Sequence, residues 1–188
     1  YYSENYQLDN IIYAQGCYLH DNRNRMVQNF LKSDSEWLLQ IDTDIVFDAT
    51  IIDNLLNLAL RHNAKLVGAW YMNIVQGKYI PMLYAQKAEV LHYILPSENQ
   101  DVSVDACGLA CFMVHREVFE KLSNQTAQSW FYFLEKNNKL VSEDLTFCLN
   151  ARKTGYEIWI DSNLKLKHMK LVGIPKNGEI NAKYYILV

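Results

Sequence analysis

Two carboxylates one residue apart, Asp42 and Asp44, close the apolar run Trp37 to Ile41. A short apolar run bounded by polar residues predicts a buried strand, and in an open α/β sheet ligands gather outside the carboxyl ends of the strands. Two hard oxygen donors at such an edge suit Mg²⁺ or Mn²⁺, which bind through one or two carboxylates and then take substrate phosphate oxygens. Asp is also common in turns, so the pair alone fits two solvated acids equally well. Far downstream, Glu143 and Asp144 open a helical pattern and His168 ends a strand pattern. A positioned carboxylate can take the proton of a hydroxyl nucleophile. The orphan amides of a first helical turn favour the ionised acid, so a base at Asp144 needs burial or an acid neighbour such as Glu143 to restore its pKa. The plainer readings are capping acids at Glu143 and Asp144 and an ordinary strand-end histidine at His168. Arg23-Asn24 near the first helix start and Asp105-Ala106-Cys107-Gly108 before an apolar strand complete the set. A glycine within a strand pattern marks a bulge or a close backbone approach.

These residues need elements to hold them. Residues 10–15 predict a strand, followed by Gly16 and a polar turn. A helix is predicted from Arg23 to Lys32, with Met26, Val27, Phe30 and Leu31 on one face and Asp21 or Asn22 as its N-cap. After the strand at Trp37 to Ile41, Ile51 to Arg61 shows helical spacing and Lys65 to Trp70 reads as a strand. This β-α-β-α-β alternation predicts a mostly parallel sheet with crossover helices. Tyr79 to Gln86 and Glu89 to Leu95 predict a small antiparallel excursion, and residues 99–103 a polar loop. Val104 to Val114 is a long apolar stretch broken by Gly108, and His115 to Leu122 a short helix. Residues 71–78 and 123–141 are expected as loops, the second carrying Trp130-Phe131-Tyr132-Phe133 as core, lid or sugar platform. Ser142 opens a helix that ends at Arg152, Lys153 and Gly155, and two strands follow, Glu157 to Ile160 and Leu164 to His168. The tail from Gly173 to Val188 predicts a loop and a final apolar run.

Composition narrows the class. The 188 residues are 50% hydrophobic and 21% charged, as expected of one globular domain spanning the chain. A net charge of −3 gives no basis for bulk binding to nucleic acid or anionic membrane. No apolar run reaches the ~18 residues of a membrane span, and no signal peptide is expected. Cys17, Cys107, Cys111 and Cys148 lack a second pair at zinc-site spacing; they read as small buried hydrophobes in a reducing, cytoplasmic compartment. The sequon Asn124-Gln125-Thr126 means little without a secretory signal. The 13 tyrosines and 4 tryptophans suit sugar- or base-binding surfaces but also fill cores.

The ordered set Arg23-Asn24, Asp42-x-Asp44, Gly108, the run Ser-Glu-Asp-Leu-x-Phe-Cys-x-x-Ala-Arg-x-x-Gly-Tyr at 142–156, and His168 resembles the GT-A-fold glycosyltransferases, especially family 2-like enzymes. The similarity runs from about residue 10 to residue 170. It implies an α/β, GT-A-like (Rossmann-like) fold and metal-dependent sugar transfer. The donor would be a nucleotide sugar (UDP- or GDP-sugar), the acceptor a glycan or other hydroxyl, and the cofactor Mn²⁺ or Mg²⁺. Asp44 would anchor the metal, Asp42 would touch the ribose or the same metal, and His168 would complete the shell. Asp144 matches the catalytic base and Glu143 its neighbour near the acceptor. Arg23 resembles an arginine approaching the nucleotide or diphosphate, and Gly108 sits where a loop passes close to the sugar. A helix-borne Asp base favours inversion. Family members usually begin with a nucleotide-binding strand and loop; that element is expected before Tyr1, or the base pocket is built differently. Two other readings stay open. A nucleotidyltransferase of related fold would want a basic Gly-rich phosphate loop near the N-terminus. A non-catalytic carbohydrate-binding or scaffold domain derived from such an enzyme is disfavoured by the presence of both Asp44 and Asp144.

Overall fold

The structure, a computed structural model, describes residues 6–16, 18–88, 90–125, 129–136 and 138–169. The expectations for Cys17, the first residue of the 89–95 strand, Thr126 of the sequon and the tail from Gly173 fall outside the described residues. The element order is α1 (Leu19–Phe30), β1 (Trp37–Ile41), β2 (Ile45–Val46), α2 (Ile51–His62), β3 (Leu66–Val75), β4 (Lys78–Pro81), β5 (Leu83–Lys87), β6 (Val90–Tyr93), β7 (Asp101–Val104), β8 (Ala106–Cys107), β9 (Cys111–His115), α3 (Arg116–Gln125), β10 (Leu134–Lys136), β11 (Lys139–Val141), α4 (Glu143–Lys153) and β12 (Ile158–His168).

The expectation of a mostly parallel, Rossmann-like sheet is overturned. The main sheet is a mixed seven-stranded one, ordered β1-β9-β3-β12-β2, with β4 beside β3 and β7 beside β12. Among the described residues only β3 with β12 is a parallel pairing in this sheet. The physical reason lies in β9. β1 and β3 do run in the same direction, joined by α2 as a crossover, but they are not neighbours. β9 fills the slot between them and pairs antiparallel with both, Leu38 and Leu66 each lying opposite Val114. Hydrophobic periodicity reports that a strand is buried and carries no label for its partner.

Smaller differences follow the same logic. Residues 10–15 form no strand, and Ile11 and Tyr13 are exposed; β-branched and aromatic residues favour strands only where a sheet surface receives them. Residues 71–78 are no loop. β3 continues to Val75 and turns into β4 through Gln76 and Gly77, both at positive φ (50° and 75°), the geometry of a tight hairpin. Residues 101–104 pair with β12, and residues 134–136 and 139–141 pair as β10 and β11. The two predicted C-terminal strands are one long strand with a register shift between Ile160 and Lys165.

Each face of the sheet has its own cover. Ile51, Leu55, Leu58 and Ala59 form the buried stripe of α2, packed on Val67, Ala69, Cys111 and Met113. The opposite face carries α1, α3 and α4 over Leu66, Phe112 and Val114, with Phe30, Phe119, Phe131 and Phe147 between them. Phe131 and Phe147 stack with centroids 4.6 Å apart. Among the described residues no helix is long and apolar enough to cross a membrane.

Candidate active site

Because β1, β3 and β12 share a direction, their carboxyl ends open at one edge of the sheet, where β9 begins. The chain crosses this edge at Gly108–Ala110, and Asp42 is fixed against it by donating its backbone N–H to the Ala110 carbonyl at 2.8 Å. α1 and α4 arrive at the same place from the aromatic face.

Arg23 lies beneath the edge. Its side chain is 1% exposed, so it addresses carboxylates and not solvent. One guanidinium nitrogen donates to the Leu109 carbonyl at 2.8 Å, and the other sits 3.4 Å from both Asp42 oxygens and 3.4 Å from Asp144 Oδ1. The second Asp144 oxygen accepts from the Leu109 N–H at 3.0 Å. Leu109 is thus gripped on both sides, its N–H by the Asp144 carboxylate and its carbonyl by the Arg23 guanidinium. Phe112 and Phe131 flank the guanidinium with ring centres 5.5 and 5.8 Å away, within cation–π range.

The charge balance is tight. Burial works against the Arg23 charge, but Asp144, Asp42 and Glu143 outweigh it and hold the guanidinium above its ordinary pKa. Burial pushes the Asp42 carboxyl up; Arg23 pulls it down, while Asp144 and Asp44 push it further up. The same burial, reinforced by Asp144, raises Glu143, which is 6% exposed. Acids crowded on one buried cation behave this way because each desolvated charge is costly and the cation is shared.

On the α2 side of the edge, His168 Nε2 meets Asp44 Oδ2 at 2.8 Å. Pairing of β12 with β2 sets this contact, with His168 opposite Ile45 and the Met169 N–H donating to the Asp44 carbonyl at 2.8 Å. The Tyr71 ring stands edge-on to His168, centroids 4.8 Å apart. Its hydroxyl is pushed far above the ordinary tyrosine value by burial and then by Asp144 and Asp42. Gly108 is the only residue type that fits beside it: a Cβ there would lie 2.3 Å from Tyr71 Oη and 2.9 Å from Cζ.

The edge therefore brings Arg23, Asp42, Asp144 and Gly108–Leu109 into one bonded network, puts Glu143 beside it on α4, and pairs Asp44 with His168. Tyr71 and the Leu109 backbone escaped sequence reasoning. Tyr71 opens the stretch 71–78 expected as a loop, whereas β3 continues through it and buries its ring. A backbone group leaves no mark in the residue alphabet.

As a metal site the edge offers few donors. Asp44 and His168 offer a carboxylate oxygen and an imidazole nitrogen side by side, but no group of three acidic, His or Cys side chains able to hold a metal occurs among the described residues. An ion that keeps most of its shell for waters and phosphate oxygens, as Mg²⁺ does, suits two protein ligands.

No family model matches the chain, and no curated protein matches it. A solved structure described as the crystal structure of A197 from STIV superposes with a TM-score of 0.55 over 90% of this chain and 78% of that one, at 17% identity. At that identity the likeness speaks for the fold alone: the chain is similar in architecture to A197.

Proposed function

We propose that the protein is a metal-dependent glycosyltransferase that moves a sugar from a nucleotide-sugar donor to a hydroxyl acceptor with inversion. The observation that carries this reading is the convergence of Asp144, Asp42 and Arg23, from three separate elements, at the strand-end edge that also holds the Asp44–His168 pair. Asp144 receives the acceptor's hydroxyl proton on a carboxylate oxygen. The freed oxygen lone pair forms the new bond to the anomeric carbon as the bond to the diphosphate breaks, and the diphosphate leaves with that electron pair. Asp144 suits the task because Arg23 and the Leu109 N–H orient it from a rigid helix while its side chain stays 18% exposed, open to a substrate hydroxyl. Asp44 and His168 would hold Mn²⁺ or Mg²⁺, which when bound neutralises charge on the diphosphate. Arg23 keeps Asp42 and Asp144 in place and does not itself reach solvent. The free thiols of Cys107, Cys111 and Cys148, all buried, favour a reducing compartment, so the cytoplasm is the proposed setting.

Two substitutions test the reading. Asp144→Asn keeps shape and removes the proton acceptor, so transfer should fall by about 10²–10⁴-fold while calorimetric binding of a panel of UDP- and GDP-sugars with Mn²⁺ stays near wild type. Asp44→Asn should weaken that binding itself, as should EDTA. Near-wild-type turnover by Asp144→Asn would reduce Glu143-Asp144 to helix-opening acids.

A further inference from the structure

The segment Trp130–Phe133 is held more firmly than its lack of regular structure suggests. Phe131 is fully buried, and its N–H and carbonyl form a pair of hydrogen bonds with the buried Asn24 carboxamide at 3.0 and 2.8 Å. Trp130 Nε1 donates to the Phe119 carbonyl at 2.9 Å, and Asn150 Nδ2 donates to the Tyr132 hydroxyl at 3.0 Å. Three elements, α1, α3 and α4, thus fix residues 130–132. The next residue, Phe133, stands out at 46% exposure.

Phe133 does not stand alone. The His20 ring lies at 5.4 Å and 83° from it, and the Tyr18 ring at 5.8 Å and 46° from His20. Tyr18 is 65% exposed. His20 precedes Arg23 by three residues on α1, so it lies on the same side a little under one turn, ~4.5 Å, further along the axis. Arg23 holds Asp144, and His20 is within electrostatic reach of Glu143. A strip of three rings therefore leads away from the carboxylates, mounted on anchored backbone.

We infer that the Tyr18–His20–Phe133 strip is the acceptor platform and that it takes a neutral pyranose, packing the sugar's C–H face on the exposed Phe133 ring while its hydroxyls reach toward Glu143 and Asp144. This rests on the proposed transferase reading and adds the acceptor's chemical class. Charge decides between occupants. Around the strip α1 and α4 place the acids Asp21, Glu143 and Asp144, while the nearby cation, Arg23, is 1% exposed and held against Asp42 and Asp144, and Asp21 Oδ1 already lies 3.3 Å from His20 Nε2. A nucleoside diphosphate stacked there would meet like charge, whereas sugar hydroxyls donate well to carboxylates. An acyl chain would want a continuous apolar groove, and here the middle ring is a polar imidazole.

Saturation-transfer NMR on the full chain with four methyl pyranosides (gluco, galacto, manno and N-acetylgluco) tests this. At least one should receive saturation at its C–H face in wild type. Phe133→Ala should weaken it about tenfold, the order of one lost aromatic contact, and Phe133→Tyr should restore it. Phe133 is exposed, so neither change burdens the core. Absence of pyranoside binding, or binding unchanged in Phe133→Ala, overturns the platform. Loss of UDP- and GDP-sugar binding in Phe133→Ala also overturns it, by giving the strip to the donor. Pyranoside binding that depends on Phe133 in a protein that binds no nucleotide sugar upholds the platform and sinks the transferase reading, so the two fail separately.

Discussion

Leu109 offers no side-chain chemistry to the site, yet its backbone links Arg23 to Asp144, and its neighbour Gly108 explains why the chain can pass there. Gly108→Ala should destabilise the protein by about 1–3 kcal/mol, the usual cost of forcing atoms into a packed interior, read by chemical denaturation. Tyr71→Phe in the same background removes the nearest clash, so a double-mutant cycle should show favourable coupling. Glu143 gives a prediction with a sign. Its carboxyl is raised by burial and by Asp144, so the ionised form costs folding stability. That cost is fully present above the folded-state pKa and vanishes below the ordinary value of 4.5. Glu143→Gln should therefore raise Tm at neutral pH, and the advantage should disappear as the pH falls below that value. The titratable residues of this edge were legible in the sequence because acids at strand and helix ends stand out against apolar runs. What they bond to was not. Arg23, expected near the start of a helix, gave no sequence sign of its burial.

At the scale of elements, helices were the more readable. α2 and α4 begin and end close to where their apolar spacing and terminal residues place them. α1 starts four residues before the predicted Arg23 because its buried face opens with Asn22, Arg23 and Asn24, polar residues that a periodicity search assigns to solvent. The far end of α1 depends on a residue 86 positions away from Phe30: Arg116 donates to the carbonyls of Phe30, Leu31, Ser33 and Ser35, satisfying groups that a helix C-terminus otherwise leaves open. Arg116→Ala should cost about 2 kcal/mol, as expected for charge-assisted hydrogen bonds. Hydrogen exchange should show faster opening of α1 than of α2, and because α1 carries Arg23, proposed donor binding should weaken with it. Unchanged protection of α1 would confine Arg116 to a surface role.

For the whole molecule, the ranking of protection follows the sheet. β9 and the first halves of β3 and β12 are enclosed between covered faces, while β10 and β11 form a two-stranded ribbon of mostly exposed residues. Native-state exchange should find the first three among the slowest amides and the ribbon among the fastest, since small hairpins are marginal alone. The sheet's direction was partly legible: crossover helices do return the chain to the same strand direction. Its order was not, because β9 enters the sheet some forty residues after β3 and could have been added to an edge as easily as inserted.

That insertion ties the two halves of the chain to each other. Residues before about 98 supply β1 and β3, and residues after it supply β9 and β12, so the strands alternate between halves across the sheet's centre. During synthesis at ~5–20 residues per second, the first half leaves the ribosome with β1 and β3 unable to bond one another and waiting for Cys111–His115. The same interleaving makes the protein a candidate for reconstitution. Cut in the irregular stretch between β6 and β7, the halves should be unfolded singly and recover a native far-UV spectrum when mixed, zipped together strand by alternating strand.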